Sequence, residues 1–90
     1  MATTVSAMNL FCVFLGGPLA EGRMGEDHEV VFVVAPDAQA ARGLGRAKWS
    51  GEGRPHVDAV EKIRTVDGYR VAVTLSGVEG DELELEGDDD

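Results

Sequence analysis

Apolar residues fall into two patterns along this chain. Met8 to Leu15 and His28 to Ala35 are apolar on both alternating faces, whereas Tyr69 to Ser76 alternates strictly. In the first segment Met8, Leu10, Cys12 and Phe14 oppose Phe11, Val13 and Leu15; in the second, Val30, Phe32 and Val34 oppose Val31, Val33 and Ala35. Runs of this length, β-branched and aromatic, predict two strands buried on both sides. The Tyr69 to Ser76 segment predicts a half-buried strand, with Tyr69, Val71, Val73 and Leu75 inward and Arg70, Thr74 and Ser76 outward. Asp67-Gly68 just before it is a two-residue hairpin signal with positive φ. The strand on the other side of that turn is expected within His56 to Val66, bent where the alternation slips near Glu61-Lys62.

Between the two halves Pro36-Asp37 opens a single helical segment ending near Trp49. Proline fits the first helical turn, and an acid there meets the positive end of the helix dipole. Ala40, Ala41, Leu44 and Ala47 make a thin apolar stripe. Gly43 and Gly45 each cost about 1 kcal/mol relative to alanine, so the helix is expected to depend on docking, with Trp49 as its anchor. Gly16-Gly17-Pro18 is read as the turn that ends the first strand, followed by a loop over residues 18–25. No helix follows those glycines at dinucleotide-binding spacing.

The expected fold is a compact α+β domain in the order β-β-α-β-β, with a mainly antiparallel sheet, one covering helix and an acidic C-terminal tail. A lead-in over residues 1–7 and a tail over 78–90, expected to be disordered, flank a single domain at 8–77. One thin helix cannot cover two doubly apolar strands, so a second copy is expected on the remaining face: a homodimer.

Charge modifies this picture in one respect. The 90 residues carry a net charge of −9, but eight of the 17 acids lie in residues 78–90, leaving nine against eight bases in the body. A near-neutral body without a basic, aromatic-interleaved surface gives no support for nucleic-acid binding. Cys12 is the only cysteine, which excludes an internal disulfide and a cysteine-built zinc site; a small buried side chain is its expected role. No run reaches the roughly 20 residues of a transmembrane helix, and the apolar start lacks the basic residues of a signal peptide. A soluble, cytoplasmic protein is expected.

Two polar groups stand at strand starts. Glu26 and His28 share a face by alternation, as do His56 and Asp58. Should those strand starts lie at one sheet end, two imidazoles and two carboxylates converge, with Tyr69 a candidate fifth member. Such a set pairs structurally, holds a small ligand or partner, or binds a divalent transition metal through His28, His56 and Asp58. No cofactor is expected; the metal is the alternative. No nucleophile stands at recognisable spacing from a base, and phosphate loops are absent. A non-catalytic interaction or binding module is therefore expected, with a ligand- or metal-binding domain, enzymatic or not, as the alternative.

Taken in order, Leu10-Phe11-Cys12-Val13-Phe14-Leu15-Gly16-Gly17, Glu26-x-His28-Glu29, Trp49, His56-Val57-Asp58-Ala59 and Val66-Asp67-Gly68-Tyr69 resemble a small bacterial family described as domain of unknown function 1543. The resemblance spans about Asn9 to Leu75, with Glu29 where the family favours Asp, and excludes the acidic tail. It implies a unit that some relatives carry twice in one chain, in keeping with pairing, and it implies no activity.

Overall fold

The computed structural model describes residues 7–19 and 25–77. The expected acidic tail, nearly all of the lead-in and most of the 18–25 loop lie outside the described residues. Strand β1 (Asn9–Pro18) and strand β2 (Glu26–Ala35) precede helix α1 (Ala38–Ala47). Strand β3 (His56–Lys62) and two short strands, β4 (Thr65–Val66) and β5 (Tyr69–Arg70), follow it. β1 is the middle of a three-stranded sheet in the order β2-β1-β3, and β4 pairs only with β5. All pairings are antiparallel. The expected α+β class and covering helix are both present.

The central place of β1 follows from its side chains. Phe11, Val13 and Leu15 face the helix and form the core with Val33, Ala35 and Ala41. Cys12, on the opposite face, is also buried. α1 begins at Asp37, whose side chain accepts a hydrogen bond from the Ala40 amide at 2.9 Å. Asp37 is thus the N-cap, satisfying one of the helix's orphan donors. The helix meets the sheet through Ala41 and Gly45, the two residues it buries. A Cβ on Gly45 would stand 2.6 Å from Val13 Cγ1, so the missing side chain sets how closely α1 approaches β1. Leu44, expected in the buried stripe, is exposed, because the contact row runs through 41 and 45, one helical turn apart.

Three expectations are corrected. β1 does not end at Gly16-Gly17-Pro18 but runs through it, paired with His28, Asp27 and Glu26. The slip in β3 lies at Asp58 rather than at Glu61-Lys62: Phe14 pairs with Ala59 and Leu15 with Val57, leaving Asp58 as the extra residue of a β-bulge. The fourth strand is ladder-paired only at Tyr69–Arg70, and residues 71–77 continue without strand pairing. Its turn is as expected, with positive φ at Asp67 (53°) and Gly68 (84°). Its burial is as expected only in part: Val71 and Val73 are half-buried, whereas Tyr69 is 77% and Leu75 92% exposed. The β4–β5 hairpin packs on neither the main sheet nor the helix.

The layering is one-sided. α1 covers one face, and the other presents Phe14, Val30, Phe32 and Val34 to solvent. Among the described residues no helix is long and apolar enough to cross a membrane.

Candidate functional site

The polar groups of the two strand starts meet at one end of the open face, and glycine is the reason they can. In register, Gly16 of β1 pairs with His28 on one side and His56 on the other. Paired residues of adjacent strands point to the same face, so both imidazoles rise beside a residue with no side chain. Glu26 pairs with Pro18 further along the same face. A Cβ on Gly16 would stand 2.8 Å from His56 Nε2 and 3.2 Å from both Asp58 Oδ2 and Glu26 Oε1. The cluster occupies the space an alanine would fill.

Within it, the Glu26 carboxylate lies between the rings, Oε1 being 3.4 Å from His28 Nε2 and Oε2 3.8 Å from His56 Nε2. Asp58 Oδ1 approaches His56 Nε2 to 3.0 Å. The bulge makes this last contact, since Asp58 is the residue that β1 leaves unpaired. All four side chains are about half exposed, so each pairing contributes under about 1 kcal/mol to folding. Such weakly held groups remain open to a ligand. Among the described residues, no three or more His, Cys, Asp and Glu side chains stand in an arrangement that could hold a metal ion.

The cluster borders an open depression of about 440 Å³ whose lining includes Phe14, Val30, Ala59, His28, Asp58 and Glu61. Its floor is apolar and its rim acidic, and no lysine or arginine lines it. Tyr69, the fifth candidate, is not brought to the cluster: it sits on the separate hairpin.

On the helix side, two neighbouring residues do structural work. Glu29 accepts hydrogen bonds from the Ser50 amide at 3.0 Å and the Ser50 hydroxyl at 2.8 Å, tying β2 to the loop after α1. Trp49 packs on the core and donates its indole N–H to the Glu52 carbonyl at 3.0 Å. Its ring lies against Gly17 and Gly51, where a Cβ would stand 2.6 and 2.4 Å from it. The Gly16-Gly17 pair thus seats a polar cluster on one face and an indole on the other. Sequence reasoning missed both seats, since Gly16-Gly17-Pro18 is made of the residue types that end strands in turns.

No curated protein and no solved structure matches the chain. Residues 23–73 match a family description, a span that takes in Glu26, His28, Trp49, His56, Asp58 and the Asp67-Gly68 turn but not β1. The resemblance was expected to reach back to Asn9, and the match begins later. It covers more than half of the 90 residues, and the chain belongs to the family described as Domain of Unknown Function (DUF1543).

Proposed function

We propose that this domain is a homodimeric, non-catalytic binding module in which a second copy covers the open sheet face. The observation that carries the reading is the bare apolar layer opposite α1, where Val30 is 49% and Phe32 56% exposed. With Phe14 and Val34 these residues expose on the order of 300 Å² of apolar surface, the size of the largest patch on an ordinary monomer, which is often a functional one. Among the described residues, the elements outside the main sheet are α1, which packs on the opposite face, and the β4–β5 hairpin, which packs on neither sheet nor helix. A lone cysteine, buried and reduced, suits a cytoplasmic setting. Light scattering of the purified chain at micromolar concentration is the test. Twice the 9.5 kDa chain mass is expected, and Phe32→Glu is expected to give a folded monomer. A wild-type monomer would overturn the reading.

A second reading is favoured by the convergence over Gly16. There the same face takes a small ligand in place of a second copy. An apolar floor, an acidic rim and the absence of basic lining residues suit a molecule with an apolar body and a positive charge. Thermal-shift measurements with small alkylamines, and with zinc, iron and manganese against EDTA, test it. Stabilisation lost in the His28→Ala/His56→Ala double variant supports the site, with the metal arms separating a cation from an amine. No shift with any of these ends it.

A further inference from the structure

The main sheet has two outer edges, and they are blunted differently. β1 is flanked by β2 and β3, so the outer side of each carries backbone groups that no strand takes up among the described residues. An open edge of this kind invites the addition of another strand. On β3 the bulge at Asp58 interrupts it. β2 has no such break: its register with β1 runs evenly over all ten residues from Glu26 to Ala35.

What stands on the β2 edge instead is a lysine. The amide and carbonyl of one residue leave an antiparallel strand on the same side, and that side alternates along the strand. The Phe32 carbonyl points outward, since it accepts a hydrogen bond from Lys48 Nζ at 2.7 Å. The backbone groups of His28, Val30 and Val34 therefore point outward with it. Lys48 is the C-cap of α1. Two residues further on, the Ser50 amide and hydroxyl are both held by the Glu29 carboxylate of β2. The segment from Lys48 to Ser50 is thus fastened to β2 twice, with an ammonium set on the middle of its outer edge.

We infer that Lys48 to Ser50 form a latch that keeps the β2 edge from pairing with β2 of a second copy. An incoming strand needs the Phe32 carbonyl that Lys48 occupies, and an ammonium cannot remain between two paired strands without its water or a counter-charge. The occupant is a second copy because β2 complements itself. Its acids, Glu26, Asp27 and Glu29, fall in the first four residues, and Val30 to Ala35 are apolar. Antiparallel pairing about Val30 sets the acids of each copy beside the apolar half of the other, whereas parallel pairing stacks acid on acid. The same pairing brings Phe32 opposite the other copy's His28. Lys48, once released, then lies beside the other copy's Asp27, a carboxylate with no ion-pair partner among the described residues. This edge contact is separate from the open-face homodimer, and the two readings stand or fall independently.

The test uses the full chain. Lys48→Ala and Glu29→Ala are each expected to self-associate at least about tenfold more tightly than wild type in sedimentation equilibrium. Lys48→Arg, which keeps a donor for the Phe32 carbonyl, is expected to match wild type. Asp27→Asn, which removes the same charge as Glu29→Ala without touching the latch, is expected to match it too. Hydrogen exchange supplies the readout that places the contact. In Lys48→Ala the outward amides of Val30 and Phe32 are expected to gain protection as protein concentration rises. Association of Lys48→Ala no tighter than wild type would overturn the inference, and so would association that leaves those amides unprotected. Protection independent of concentration would mean that another segment of the same chain takes the edge, and overturns it as well. A wild-type monomer removes the open-face homodimer and leaves the latch to be judged by these variants.

Discussion

Gly16 lies directly beneath His56, so that a Cβ at residue 16 would stand 2.8 Å from the imidazole Nε2. The atoms such a Cβ meets are the tips of half-exposed side chains, which swing away cheaply. Gly16→Ala is therefore expected to change stability by less than about 1 kcal/mol, since a strand glycine also carries an entropy penalty of similar size. The ring resonances of His28 and His56 are expected to move by nuclear magnetic resonance. Unchanged ring signals would mean that the four side chains do not gather over Gly16 in solution.

Gly17 is the contrasting neighbour. There the Cβ would meet the Trp49 ring at 2.6 Å, and the indole is held by the core and by its bond to Glu52. Gly17→Ala is expected to cost about 1–3 kcal/mol, the usual range for overpacking. Trp49 is the only tryptophan, so its fluorescence reports the displacement without ambiguity, and urea unfolding measures the cost.

The two helix glycines should respond in opposite directions. A Cβ on Gly43 meets nothing within 4 Å, whereas one on Gly45 would press on Val13 Cγ1 at 2.6 Å and Cβ at 2.8 Å. Gly43→Ala is expected to stabilise by about 0.5–1 kcal/mol through helix propensity. For Gly45→Ala the same gain is outweighed by separation of α1 from the central strand, giving a net loss of about 1–2 kcal/mol. Thermal or urea unfolding of the two variants side by side checks the sign of each.

These glycines also show where the sequence was legible and where it was not. Periodicity located β1, β2 and α1, because runs such as Phe11-Val13-Leu15 can be satisfied only by burial. It also paired Glu26 with His28 and His56 with Asp58, although for Asp58 the contact arises through a bulge rather than through alternation. Gly16-Gly17 was misread as a turn because a glycine seating a neighbouring side chain carries the same letter as one turning the chain. What distinguishes them is the partner, His56 or Trp49, from a distant part of the chain. The Tyr69 to Ser76 segment read as a strand throughout, but only Tyr69–Arg70 pairs in a ladder, because alternation marks which residues can share a face and not whether a neighbouring strand is there to pair with.

The last prediction concerns Cys12, which lies on the open face opposite Glu61 of β3. Burial, and next the nearby charge of Glu61, push its thiol above the ordinary value, because both disfavour the thiolate. Alkylation at pH 8 should therefore run at least about tenfold slower in the folded chain than in the urea-unfolded chain. Glu61→Gln, which removes the lesser cause, should recover part of that rate. The same shift has a consequence for stability. With the folded value raised, the unfolded chain gives up its thiol proton first, so stability is fully present below the ordinary thiol range. It is lost as pH climbs through that range toward the folded value. Urea midpoints measured at pH 7.5 and pH 10 should fall further in wild type than in Cys12→Ala, the difference isolating this one group from the other titrating side chains. Equal falls in the two proteins would show that the thiol ionises as readily in the sheet as in the open chain.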